Sequence, residues 1–290
     1  MTTSSPLASV TNGIRTELVL CIHNRSPAVQ HFTAHDRRKN PMPVRVDAAL
    51  DDLVVPTLDN PREFSSQLHT HLRRLINDGA IAPGTELNQA DLARRFNVSR
   101  IPMREAFRML QQEGLIDVAL NQRAVVRALD AGEVDQLYGV RITLEALGAR
   151  ITAGRLSDAE VAEAQECLRR MRKTKRAQDM SEWVAAHRRF HTLCTARAGA
   201  PLAGIILSYS ERTERYVRFG QRAHADTFAV AEAEHEQILT ALAAGEVDAA
   251  GASMARHLAH TAATVLADLD GDFEALTVAQ SVQMCAGGPL

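Results

Sequence analysis

The sequence has little that would staple it together or carry it into a membrane. Its four cysteines (Cys21, Cys167, Cys194, Cys285) are scattered over 290 residues with no CxxC spacing, which suggests neither a disulfide framework nor a thiolate zinc site. A reducing cytoplasm is the expected location. Long hydrophobic runs are missing: the one around Leu18–Ile22 falls far short of the ~20 residues that a membrane-spanning helix needs. No signal-peptide pattern is present, so the expectation is a soluble chain with no membrane partner. There is almost no charge surplus either, and a formal net charge of −2 rules out a chain that is basic throughout. Residues 62–127 nevertheless hold ten Arg against seven Asp and Glu, a local excess of three positive charges. This is the segment suited to meeting phosphate.

What is present is enough for two cores. The length fits roughly two domains of about 100–200 residues each, and 46% of the residues are hydrophobic. Residues 1–61 are rich in Thr, Ser, Asn and Pro, carry no long amphipathic pattern, and are expected to form a disordered extension. Met42 within them offers an alternative start of translation. From about Gly271 the helical period fades and the chain ends in "AGGPL", so 270–290 is expected to be a flexible tail.

Between these ends, Phe64, Leu68, Leu72, Leu75 and Ile76 recur at helical spacing, and Gly79 with a Pro-Gly turn stops that helix. Asn88 suits the cap of a short second helix that buries Leu92, Ala93 and Phe96. A tight "NVS" turn leads to a third helix capped by Ser99, with Met103, Ala106, Phe107 and Leu110 on one face and Arg100, Arg104 and Arg108 on the other. Gly114 ends it, and "LIDVAL" and "AVVRAL" around a polar "NQR" read as a β-hairpin. An arginine stripe alone is more often a solvated face. Following two short helices and preceding a hairpin, it has the layout of a winged helix-turn-helix, whose third helix would bring a positive dipole end and its arginines to the major groove.

The stretch "IAPGTELNQADLARRFNVSRIPMREAFRMLQQEGLI" resembles the DNA-binding domain of the GntR family of bacterial transcription regulators. The Pro-Gly turn, the VSR-x-P turn and the closing Gly-Leu all fall in register. The resemblance implies that Ser99 and Arg100 open the recognition helix on DNA, that Pro102 shapes its first turn, and that Arg104 acts beside them, with Arg108 continuing the stripe. Ala90 stands where many family members carry a DNA-contacting arginine, and Arg123 stands in the wing where a glycine is usual. Arg123 could therefore contact phosphate in its own way or reshape the wing.

Residues 128–269 read as about six helices with no strand-like alternation, making the chain mainly α: a winged helix-turn-helix followed by an all-α bundle. Asp130 and Glu133, then Ser157 and Glu160, have capping-box spacing. The first long helix is expected to bury Leu137, Val140, Leu144, Leu147 and Ile151, and the second Val161, Ala164, Leu168 and Met171. His187 and His191 lie one turn apart on the third helix of this half. His235 lies on the next to last and His257 on the last, each at or beside an apolar stripe. Imidazoles on facing helices suit Zn²⁺, Ni²⁺ or a similar ion. Single helical histidines at such positions are usually just satisfied core residues. His260 falls off the stripe and ranks second as a ligand, and His224, in a loop, ranks lower.

Through "VRITLEALGAR", "HRRFHTLCTARAGAP" and "EHEQILTALAAGEVDAAGASMARHL", this half resembles the FadR C-terminal domain, in its six-helix VanR-like form. In metal-binding members the ligands are an Asp, a His four residues later and two further histidines. By position the set becomes His187, in the Asp place, with His191, His235 and His257. The resemblance implies a homodimeric, ligand-responsive regulator, more a repressor than an activator. It would bind a palindromic double-stranded DNA operator and sense a small carboxylate at a divalent metal, Zn²⁺ or Ni²⁺. A metal-free regulator of the same fold is one alternative. A helical metal-dependent hydrolase is another, but its customary adjacent His-Asp pair occurs only as His35-Asp36 in the extension. Glu234 and Glu236, the acids nearest His235, are expected to point away from its face.

Overall fold

The computed structural model describes residues 60–118, 123–223 and 227–286. It divides after Asp130 into two compact units. The expected extension, apart from Asn60 and Pro61, falls outside the described residues, and so do His35-Asp36, Met42 and His224.

In the first unit a single 3-10 turn at Pro61–Glu63 leads into α1 (Phe64–Asn77). There follow β1 (Glu86–Asn88), α2 (Gln89–Arg95), α3 (Arg100–Gln112), β2 (Ile116–Val118) and β3 (Arg123–Val126). The expected apolar positions of α3, Met103, Ala106, Phe107 and Leu110, are all buried. They share one core with Leu68 and Leu72 of α1 and with Leu92 and Phe96 around α2. Asn88 caps α2 by accepting from the backbone N–H groups of Ala90 and Asp91. Gly114, at φ 72°, supplies the left-handed turn that ends α3 and that L side chains resist.

β3 is the central strand of an antiparallel sheet of order β1-β3-β2. Glu86 pairs with Val125 and Asn88 with Arg123 on one side, and Ile116 pairs with Val126 on the other. Two points differ from the sequence reading. β1 was not anticipated, because three residues ahead of a helix are too few to display a period. Arg123, placed in the turn, is the first residue of β3.

The second unit contains α4 (Ala131–Thr152), α5 (Asp158–Arg176), α6 (Met180–Cys194), α7 (Ala200–Ala223), α8 (Thr227–Ala244), α9 (Val247–Leu269) and α10 (Leu276–Ala286). Ser157 and Glu160 form the expected capping box on α5. Helix α4 packs against α7, α9 and α10, while α5 packs on α6. Enclosed on several sides, α4 has no single apolar stripe. Leu147, expected in its seam, is 46% exposed, whereas Val134, Tyr138 and Ile142 are buried together with Arg141 and Glu145. A count of hydrophobic residues does not register a buried ion pair.

The flexible tail expected at 270–290 is also corrected: 276–286 form α10, making seven helices among the described residues of this unit. The Asp135 carboxylate of α4 accepts from the Thr277 and Val278 backbone N–H groups at 3.0 and 2.9 Å, capping α10. Gly139 makes room for it, since a Cβ there would lie 2.5 Å from Thr277 Cγ2. The cap comes from a residue 142 positions earlier, so a local pattern around 276 could not reveal it.

Candidate metal centre and nucleic-acid interface

Helices α6, α8 and α9 bring His187, His191, His235 and His257 together. One ring nitrogen of each lies within 4.8 Å of those of the other three, and this group could hold a metal ion. Ring centroids are 4.5 Å apart for His187 and His191 and 4.3 Å for His235 and His257. His191, His235 and His257 are buried and His187 is half-buried. Burial, followed by the neighbouring imidazoles, pushes His187 and His235 well below the ordinary histidine range. Burial also lowers His191, although Glu145 opposes the shift. These rings are therefore neutral at physiological pH, the form in which imidazole binds metal.

Two carboxylates fix ring orientation. Burial would raise the Glu145 carboxyl, but Arg141 and His191 outweigh it and hold the group down at about 2. An ionised carboxylate only accepts, so His191 Nδ1 must donate the 2.8 Å bond to Glu145 Oε2. The lone pair is then on His191 Nε2, which is buried with no hydrogen-bond partner, as is His235 Nε2. Buried polar atoms are normally partnered, and orphaned imidazole nitrogens inside a four-histidine cluster are what a metal site requires. The donor set thus fits a borderline divalent ion. His257 Nδ1 stands 2.9 Å from Glu234 Oε2. Burial pushes Glu234 up, but its bonds from His257 and His260 prevail and hold it at about 2.

The remaining second-rank residues are also placed. His260 is outside the four-histidine group and pairs with Glu234 through its own Nδ1, consistent with its lower rank. Glu234, expected to face away, reaches α9 instead, and Glu236 pairs with Arg172 of α5.

Sequence reasoning missed Arg141 and Glu145, which are almost fully enclosed on α4. Arg141 Nε is 2.7 Å from Glu145 Oε1, and its Nη1 donates to Thr213 Oγ1 of α7 at 2.8 Å. Their spacing of four in "RITLE" was a usable signal for an ion pair, but not for its burial. Trp183 was missed as well: it stacks on His187 with centroids 4.7 Å apart and planes inclined by 17°.

In the first unit Ser99 is at the N-cap of α3 with extended backbone and makes no side-chain cap bond. The residue is exposed at the N-terminus of the helix. Arg100, Arg104 and Arg108 are exposed along α3, and Pro102 is half-buried in the first turn. Arg108 pairs with Glu105 at 3.0 Å. Arg123 reaches Glu86 on the neighbouring strand β1, with Nη1 2.7 Å from Oε1. No described helix is long and apolar enough to cross a membrane.

Comparison with known proteins gives the same division. Residues 64–126 match the bacterial regulatory proteins of the gntR family, and residues 136–260 match the FCD domain. The HTH-type transcriptional repressor RspR of Escherichia coli is 28% identical over 71% of this chain and 91% of its own length. An HTH-type regulator of Bacillus subtilis, YdhC, is 30% identical over 47% of this chain, and the match spans 61% of YdhC. Among solved structures, a GntR transcriptional regulator from Rhodococcus sp. RHA1 superposes with a TM-score of 0.60 at 25% identity, over 72% of this chain and 99% of that one. E. coli McbR/YncC superposes with a TM-score of 0.58 at 22% identity, over 67% and 93%, a likeness of fold. These relatives are transcription regulators and not enzymes, and the chain belongs to the GntR family of DNA-binding regulators, with an FCD domain as its helical unit.

Proposed function

We propose that the protein is a homodimeric, ligand-responsive transcription regulator, acting in the cytoplasm as a repressor, whose helical unit senses a small carboxylate at a metal ion held by His187, His191, His235 and His257. The observation that carries this reading is the buried cluster itself, with His191 fixed in one tautomer and the Nε2 atoms of His191 and His235 left without partners. The all-nitrogen donor set favours Zn²⁺ or Ni²⁺ over ions that prefer oxygen. Four neutral imidazoles leave the full charge of the ion in place, which favours an anionic effector in any open coordination position. Glu145 does not cancel that charge, because Arg141 already balances it.

On the DNA side, Ser99, Arg100 and Arg104 at the open end of α3 would meet phosphate and base edges of a palindromic operator, with Pro102 setting the first turn. Arg108 and Arg123 are held by Glu105 and Glu86, so their contribution is expected to be smaller. Leu147 on α4 and Ile205 and Leu207 on α7 are large apolar side chains left about half exposed, which supports pairing of two chains through the helical unit. The effector would regulate only through unequal affinity for two dimer geometries.

The test is to select bound genomic fragments with the full chain, then titrate small carboxylates into the protein–DNA complex with and without Zn²⁺. Release of DNA by a carboxylate only in the metal-loaded protein is the expected result. Release that is equal without metal would reduce the centre to a hydrogen-bonding pocket.

A further inference from the structure

We propose that Glu234 is a positioning residue for the metal centre: it binds no ion itself, but its carboxylate fixes the ring of His257 so that Nε2 presents its lone pair to the cluster. The proposal rests on the reading of the four histidines as metal ligands. Glu234 adjoins His235 in sequence on α8, yet its Oε2 lies 2.9 Å from His257 Nδ1 on α9. One turn of α8 thus supplies one imidazole of the cluster and the support for another.

The geometry is selective. The Glu234 side chain is 13% exposed and that of His257 is 2% exposed, so water has little access to the bond. A carboxylate accepts but does not donate, so the proton on His257 is held at Nδ1. In the other tautomer, Nδ1 and Oε2 would be two acceptors in contact, and Nε2 would carry a proton where the ion must bind. The carboxylate's other oxygen, Oε1, is occupied by His260 Nδ1. His260 is one turn further along α9 and its side chain is 42% exposed. It therefore holds Glu234 from the solvent side, and the carboxylate is gripped at both oxygens. Supports of this kind typically change metal affinity about 10–100-fold when removed.

The experiment measures Zn²⁺ affinity of the full chain by competition with a chromophoric chelator for the natural sequence, Glu234→Gln and His260→Ala, alongside circular dichroism and melting of each metal-free protein. Zn²⁺ binding by the natural sequence tests the metal reading itself, and its absence would overturn that reading whatever the variants do. Given binding, the proposal expects Glu234→Gln to weaken affinity about 10–100-fold while the metal-free spectrum and melting temperature hold. His260→Ala, which removes only the outer grip, should weaken it less than Glu234→Gln does. Equal affinity of Glu234→Gln and the natural sequence would overturn the proposal. Should Glu234→Gln fail to fold, ¹⁵N correlation spectra of the imidazoles in the metal-free natural protein decide. A protonated Nδ1 on His257 supports the role, and a protonated Nε2 contradicts it.

Discussion

Trp183 stacks on His187, one turn further along α6, with ring centroids 4.7 Å apart. It is the only tryptophan in the chain, so its emission is an internal reporter on one candidate ligand. Adding Ni²⁺ or Cu²⁺ to the natural protein should quench that emission with saturation near one ion per chain. His191→Ala should abolish the saturable phase. Unchanged emission in the presence of bound Ni²⁺ would place the ion away from His187.

Arg104 and Arg123 should separate on DNA. Arg104→Ala is expected to abolish sequence-specific operator binding while leaving metal content and dimerisation intact. Arg123→Ala should cost less, because that guanidinium is already paired with Glu86 on the neighbouring strand β1. Binding isotherms at fixed salt check both, and tight specific binding by Arg104→Ala would count against the placement of α3 on DNA.

Arg141 and Glu145 form an ion pair with side chains only 2% and 0% exposed. Replacing Arg141 by Met leaves the Glu145 charge in the core with the His191 Nδ1–H bond but no guanidinium. Removing one partner of such a pair destabilises by about 3–5 kcal/mol, and urea unfolding of the metal-free protein should register a loss of that order. A change under about 1 kcal/mol would mean that the carboxylate finds another partner.

Asp135→Ala removes both bonds that cap α10. Loss of an N-cap costs about 0.5–2 kcal/mol, and the expected outcome is faster amide hydrogen exchange across 276–286 with little change in the core of α4. Unaltered exchange there would show that packing around Gly139 holds α10 without the cap.

The parts of this protein that were legible in its sequence are those built from local repetition. The four buried positions of α3 and the Ser99 cap site follow from a 3.6-residue period and a capping preference, and the His187–His191 pair follows from one helical turn. His235 and His257 could be set beside that pair by their apolar stripes, and the resemblance to a family strengthened the match, since nothing in their own neighbourhoods measures the distance between helices. What stayed illegible depends on contacts distant in sequence or on burial of charge. Arg141 and Glu145 look like a surface pair until three helices enclose α4. Glu234 looks like a solvated neighbour of His235 until α9 is set beside it. The C-terminal helix looks frayed because its cap is provided by Asp135.

Whether the four histidines hold a metal is decided by the metal content of the purified, tag-free chain beside His191→Ala, prepared without chelator and without exposure to affinity-resin metal. Near-stoichiometric Zn²⁺ or Ni²⁺ in the natural protein, and its loss in the variant, is the expected outcome. No metal in either, even after incubation with both ions, would contradict it and leave the four histidines as a metal-free pocket.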